Sequence, residues 1–251
     1  YNGQPAGYAS VPSETITYVA AHDNETLWDT IQMKASSETS DQRVRMNNLA
    51  LSIVALGQGI PFFNAGDDLL RSKSLDRDSY NSGDWFNRLD FSYQSNNWGV
   101  GLPPAEKNQS RWPWMKTLLE NPKLQVTSKQ IAHARNHLQE MLAIRYSSPL
   151  FRLRSAEEVQ RTLHFENTSV PGLIVMHLED PKGNSGPYKK ITVVFNPNRD
   201  WVSWDSPQLQ GNWTLHPVLQ KSQDEAVRKA SIHSGEVSIP GLTTAVFVET
   251  D

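Results

Sequence analysis

The 251-residue chain sets 24 Lys and Arg against 27 Asp and Glu, a formal charge of −3. That balance argues against a nucleic-acid binder, which depends on neutralising many phosphates. With no cysteine, disulfides, thiol catalysis and cysteine metal sites are excluded, while 37% hydrophobic and 20% charged residues fit a globular chain of one large domain or two ordinary ones. No apolar run approaches the ~18 residues needed to cross a membrane. Tyr1 to Val11 is polar, rich in Gly and Pro and without a signal-peptide pattern, and reads as part of a longer polypeptide. The first structured segment is Thr15 to Asp29, a short apolar strand running into His22, Asp23 and Asn24. An α/β barrel presents such strand ends at its C-terminal rim, where its chemistry is done. The alternative is that Asp23 and Asn24 merely cap the next turn.

A polar stretch follows, and Thr39 with Gln42 forms a capping-box pattern before a helix whose apolar positions are Val44, Met46, Leu49, Ala50, Ile53 and Val54. Gly57 and Gly59 end it. Ile60 to Asn64 reads as a short buried strand ending at Gly66, Asp67 and Asp68, so the order is strand, helix, strand, with a parallel pair expected. Leu70 to Val126 has little periodicity and reads as a long loop, a feature uncommon in compact domains unless it serves function. A second capping box, Thr127 with Gln130, opens a helix with the face Ile131, Ala134, Leu138, Met141 and Leu142, ending at Ser147 to Pro149. Beyond Phe151 come β-rich runs at 159–165, 173–178, 191–195, 213–218 and 245–248. The turn signals between them are Pro171-Gly172, Lys182-Gly183-Asn184 and Asn196-Pro197-Asn198. Their spacing predicts a small antiparallel β-sandwich.

Two clusters could carry chemistry. His22 and Asp23 offer an imidazole and a carboxylate at a strand end, fit to bind hydroxyls or stabilise positive charge. Arg71 to Phe91 holds four Asp together with Arg71, Lys73, Arg77 and Arg88, interleaved with Tyr80, Trp85, Phe86 and Phe91. Guanidinium and carboxylate groups recognise vicinal hydroxyls, and aromatic rings offer stacking faces. A solvated, salt-bridged loop is the bland reading. The eight Trp suit pyranose rings or ordinary packing alike. The glycines form no dinucleotide fingerprint. His133 and His137 lie i, i+4 on one helix without an acidic partner, which favours surface or packing roles over a zinc pair. Four Asn-x-Ser/Thr triplets, at Asn24, Asn108, Asn167 and Asn212, carry no weight because chance supplies them.

YVAAHDNETLWD, Tyr18 to Asp29, resembles the fourth signature region of the α-amylase superfamily, at the end of the seventh barrel strand. GQGIPFFNAGDDLLRSKSLDRDSYNSGDWFN, Gly57 to Asn87, resembles the eighth-strand region of its starch-debranching branch, the pullulanases and limit dextrinases. NNWGVGLPPAEKNQSRWPWMK and IRYSSPLFRL are similar to the limit dextrinase type. The resemblance implies the C-terminal part of a (β/α)8 barrel over 1–151, holding strands 7 and 8, and an antiparallel β-sandwich over 152–251. It implies retaining hydrolysis of α-1,6-glucosidic branch points in pullulan, amylopectin or limit dextrins. Retention needs a nucleophile and an acid ~5–5.5 Å apart. In that family these are an Asp after the fourth strand and a Glu after the fifth, so both are expected N-terminal to Tyr1, and this segment alone is expected to be inactive.

Asp23 matches the family's third acidic residue, which supports the transition state, and His22 its hydroxyl-binding neighbour. Arg77, Asp78 and Tyr80 match positions lining the glycone subsites, with Trp85 as a further substrate-binding candidate. No metal ligands or cofactor are implied for this segment, although calcium is possible in the full-length enzyme. The partners implied are an α-glucan and the N-terminal remainder of the enzyme, present in one polypeptide or as a nicked chain, with neither nucleic acid nor membrane. Secretion and a plastid are both open. The rival reading is a stand-alone α-glucan-binding protein that uses the Trp residues and the sandwich as its platform.

Overall fold

The computed structural model describes residues 2–4, 7, 9–180, 182–183 and 186–249. Tyr1 and Asn184, the last residue of the expected Lys182–Asn184 turn, lie outside them. The chain gathers into two compact units. One holds Tyr1–Thr17, Ile53–Phe62 and Met141–Asp251, the other Tyr18–Ser52 and Phe63–Glu140.

In the first unit, β1 (Ile16–Thr17) and β2 (Ile60–Pro61) form the expected parallel pair, Ile16 opposite Ile60 and Thr17 opposite Pro61. Each is only two residues long, shorter than its apolar run. Pro61 has no N–H to continue the ladder, and one further bond, from the Phe62 N–H to the Thr17 carbonyl at 2.9 Å, closes it. Entry to β2 depends on Gly59, whose φ is 84°; a Cβ there would lie 2.2 Å from the Thr15 hydroxyl oxygen. Ile16, Ile60 and Phe62 remain 62%, 46% and 44% exposed. Parallel strands are normally covered on both faces, and among the described residues these are not. Arg145 caps the end of the preceding helix, donating to the carbonyls of Ala55, Gly57 and Gly59 at 2.9, 2.6 and 2.8 Å. The Ala55 carbonyl belongs to the last turn of the helix Ser40–Leu56, where carbonyls lack partners within the helix.

The C-terminal part of this unit is antiparallel. β3 (Leu163–Glu166), β4 (Ile174–Glu179), β5 (Lys190–Asn196), β7 (Trp213–Leu215) and β10 (Thr243–Glu249) make one sheet in the order β3-β4-β5-β10-β7. β6 (Val202–Asp205), β8 (Ser231–His233) and β9 (Glu236–Ile239) make the second, in the order β6-β9-β8. The central strands are buried on both faces: Ile191, Val193 and Val194 on β5 and Ala245, Val246 and Phe247 on β10 are fully buried. They therefore read as continuous apolar runs rather than alternating ones.

Two runs expected as strands are partly helical. Val159–Thr162, the first part of the run expected as strand at 159–165, belongs instead to a helix, Ala156–Thr162. A capping box decides it: the Glu158 N–H donates to the Ser155 hydroxyl at 3.1 Å, and the Ser155 N–H to the Glu158 carboxylate at 3.2 Å. At 213–218, Pro217 ends the strand and opens a four-residue helix, Pro217–Gln220, capped by His216. β6, β8 and β9 were not anticipated, being short and half polar.

In the second unit, α1 (Leu27–Lys34) is an unanticipated helix, capped by the Thr26 hydroxyl, which accepts from the Asp29 N–H at 3.0 Å. The helices Ser40–Leu56 and Ser128–Ser147 start at the two expected capping boxes. The Thr39 and Thr127 N–H groups each donate to the amide oxygen of Gln42 or Gln130 at 2.9 Å. Trp28, Val44, Leu69, Leu70, Ile131 and Ala134 form the core, with a second cluster of Leu75, Met115 and Leu119. The stretch Leu70–Val126 is less irregular than expected. It carries helices at Asp84–Asn87, Ala105–Asn108 and Trp112–Leu119. The first two are too short to show a 3.6-residue period, and the third buries just Met115 and Leu119.

Candidate functional site

The site is built from a turn, a loop and a short helix of the second unit. Residues 20–26 leave the strand in a turn made possible by Asn24, which sits at φ 64°, a left-handed conformation its short polar side chain tolerates. Here the His22 and Asp23 side chains are 88% and 82% exposed, with His22 Nε2 3.6 Å from Asp23 Oδ1. Behind the turn, the buried Lys73 ammonium donates to the His22 carbonyl at 3.2 Å. Burial lowers the Lys73 pKa, opposed by the carboxylates of Asp29 and Asp76.

Two carboxylates organise the loop. Asp29 is fully buried and accepts from the Ser72 hydroxyl at 2.5 Å and from the Lys73 and Leu75 N–H groups at 2.9 and 3.3 Å. These bonds hold Ser74 and Leu75 at φ 53° and 66°, conformations that are costly for a leucine. Burial lifts the Asp29 pKa to about 6, despite the opposing hydrogen bonds. Asp76 then accepts from the Asp78 N–H at 3.1 Å and the Ser82 hydroxyl at 2.5 Å. Asp67, which opens the single turn Asp67–Leu69 beyond β2, is also buried, and burial lifts it to about 7.

Arg77 and Asp78 emerge from this scaffold. Arg77 Nε donates to Asn24 Oδ1 at 3.1 Å and lies 4.0 Å from Glu25 Oε2. Asp78 accepts from the Lys107 ammonium, a bond that lowers the Asp78 pKa and raises that of Lys107. An open cleft of about 480 Å³ is lined by Asp23, Asn24, Arg77, Asp78, Lys107, Asn108 and Arg111. Of the residues singled out in the sequence, Asp23, Arg77 and Asp78 thus meet at one cleft. His22, Tyr80 and Trp85 do not line it: Tyr80 is 90% exposed, and Trp85, 60% exposed, donates its indole N–H to the Val100 carbonyl at 2.8 Å. Lys107, Asn108, Arg111 and Glu25 escaped the sequence reading because no spacing ties residues 23–25 to 107–111.

Such a wall can accept from and donate to the hydroxyls of a polyhydroxylated ligand. Among the described residues no three His, Cys, Asp or Glu side chains converge on one point. No helix among the described residues is long and apolar enough to cross a membrane.

One unit carries the parallel pair and the antiparallel sheets, and the other, built of helices and loops, carries the polar cleft. Residues 93–250 match the family model for the C-terminal region of pullulanase-type α-1,6-glucosidases. Over its whole length the chain is 51% identical to the chloroplastic pullulanase 1 of Arabidopsis thaliana, of which it covers 27%. Over 72% of its length it is 44% identical to the pullulanase of Klebsiella aerogenes, of which it covers 17%. Among solved structures, apo pullulanase from Klebsiella pneumoniae superposes with a TM-score of 0.91 at 36% identity, over the whole of this chain and 28% of that one. The same enzyme complexed with maltotriose gives the same TM-score and identity over 25% of its chain. This chain belongs to the pullulanase-type α-1,6-glucosidases and corresponds to their C-terminal portion. It spans about a quarter or less of the length of these relatives.

Proposed function

We propose that the chain forms part of a starch-debranching glycoside hydrolase that cleaves α-1,6-glucosidic branch points with retention, and that its cleft contributes one side of the glucan site. The observation that carries this reading is the convergence of Asp23 with Arg77 and Asp78 at one cleft in a member of a pullulanase-type family. Residues 1–151 are read as the C-terminal segment of a (β/α)8 barrel with its last two strands, and 152–251 as the β-sandwich. The uncovered parallel pair β1 and β2 supports the barrel reading, because Ile16, Ile60 and Phe62 stand exposed where neighbouring strands would bury them.

In this mechanism the nucleophilic Asp and the acid Glu come from the remainder of the longer polypeptide, ~5–5.5 Å apart as retention requires. Asp23 supplies a third carboxylate, gripping the hydroxyls of the reacting sugar as its ring distorts and positive charge develops. His22 binds a neighbouring hydroxyl. Arg77 and Asp78 hold the glycone, with Tyr80 and Trp85 offering rings to it as the substrate fills the site. Maltotriose, seen with a Klebsiella relative, is the fragment expected to bind.

The test is pullulan hydrolysis by the complete enzyme and by its Asp23→Ala variant. A fall in kcat of at least about a hundredfold, with folding intact, is expected for a transition-state carboxylate. An unchanged kcat in Asp23→Ala would refute the role. Release of maltotriose by residues 1–251 alone would refute the assignment of the catalytic pair to the rest of the polypeptide.

A further inference from the structure

The cleft has a wall that the residues discussed so far do not explain. Arg111 lines it from the single turn Gln109–Arg111, and its guanidinium is fixed from two sides. Its Nη2 lies 3.4 Å from Glu25 Oε1, and its Cζ stands 5.3 Å from the centre of the half-exposed Trp114 ring. The other Glu25 oxygen faces Arg77 Nε at 4.0 Å. One carboxylate, only 14% exposed, is therefore shared by two guanidiniums from segments more than thirty residues apart.

The charges around the cleft balance. Of the lining side chains, Arg77, Lys107 and Arg111 face Asp23 and Asp78, and Glu25, which does not itself line the cleft, offsets the third cation from beside Arg77 and Arg111. A phosphate or a carboxylated ligand would meet no net attraction, whereas an uncharged polyol would find donors and acceptors side by side. Arg111 retains 34% side-chain exposure, so its donors are not all consumed by Glu25. Trp114 supports it from behind, which limits the rotamer entropy lost when it binds.

We propose that Arg111 is a substrate-binding residue, extending the glucan site from Asp23 towards Lys107, and that Glu25 is a positioning residue setting Arg77 and Arg111 along one wall. The ligand class is a neutral α-glucan segment, and the inference rests on the debranching function proposed above.

The experiment measures KM and kcat on pullulan, and maltotriose binding by calorimetry, for the complete enzyme and its Arg111→Ala, Arg111→Lys and Glu25→Gln variants. Arg111→Ala is expected to raise KM and the maltotriose Kd about tenfold, as for one lost charged hydrogen bond, with kcat within about twofold. Arg111→Lys should recover part of that loss. Glu25→Gln should raise KM similarly, and by less in the Arg111→Ala background than alone, since the two act through one contact. An Arg111→Ala enzyme with unchanged KM and Kd overturns the binding role, and fully additive effects overturn the positioning role. If Glu25→Gln does not fold, the two Arg111 variants decide the matter, because they leave the buried carboxylate in place. A wild-type enzyme that leaves pullulan intact instead refutes the function on which the inference rests.

Discussion

Loss of the Asp29 side chain is expected to destabilise the loop that starts at Ser72. The Asp29 carboxylate, fully buried, is the acceptor for the Ser72 hydroxyl and for the Lys73 and Leu75 N–H groups. Asp29→Ala leaves all three donors inside the protein without that acceptor. At ~1–3 kcal/mol for each buried donor, the loss is at least about 3 kcal/mol. For a chain of this size that lowers Tm by roughly 6–12 °C. Asp29→Asn separates charge from geometry. Its amide oxygen can still accept from Lys73 and Leu75, while its NH₂ turns to the Ser72 hydroxyl, so less than half the loss is expected.

The pH dependence has a definite sign. Burial raises Asp29 from 3.8 to about 6, so the folded protein keeps this proton to higher pH than the unfolded chain does. Stability from this group is therefore complete below about pH 3.8 and falls as pH rises to about 6, by roughly 3 kcal/mol at ~1.4 kcal/mol per pH unit. Asp67, raised to about 7, acts in the same direction, so Asp29→Asn should shallow the slope without abolishing it. The assay is thermal unfolding by tryptophan emission between pH 4 and 7, with amide exchange of residues 72–78 as the local readout. An Asp29→Ala protein melting within about 2 °C of wild type, with those amides equally protected, would show that the carboxylate does not hold the loop.

Three further outcomes are expected. Gly59→Ala should destabilise the first unit and lower the Tm of the enzyme by several degrees, because the backbone is left-handed and the new methyl meets the Thr15 hydroxyl oxygen at 2.2 Å; Gly59→Asn, better suited to that conformation, should cost no less, since the clash remains. Burial lowers His216 from 6.5 to about 4, where its Nδ1 accepts from the Val218 N–H and its Nε2 faces the Ser147 hydroxyl at 3.0 Å. Its contribution is complete above about pH 6.5 and lost as pH falls towards 4, so urea midpoints should drop less over that range in His216→Gln than in wild type. Lys107→Met removes an exposed pair with Asp78 and should leave Tm unchanged. The Asp78 carboxyl should then titrate closer to the ordinary carboxylate range, as carbon-detected NMR would register.

Much of the fold was legible because it is locally encoded. Both capping boxes, Thr39 with Gln42 and Thr127 with Gln130, mark helix starts in the structure, since a cap is a bond between near neighbours. The parallel pairing of Ile16 with Ile60 follows from strand, helix and strand in succession. The resemblance of Tyr18–Asp29 and Gly57–Asn87 placed the chain in a family that the comparisons bear out.

What the sequence left out is what depends on distance along the chain. Val159–Thr162 was read as strand together with Leu163–Phe165, and the Ser155 and Glu158 cap that makes it helical went unread. The helices within Leu70–Val126 were missed because two are a single turn long and the third buries just Met115 and Leu119. The cleft shows the division most clearly. Asp23, Arg77 and Asp78 carry chemistry visible in their types, yet nothing in the order of residues joins Glu25 to Arg111, or Lys107 to Asp78. The buried carboxylate of Asp29, forty-odd residues from its partners Ser72 to Leu75, fixes the start of the loop that carries Arg77 and Asp78. Local propensity can announce which groups are present; only the packed chain, through burial and long-range hydrogen bonds, decides which of them face the same ligand.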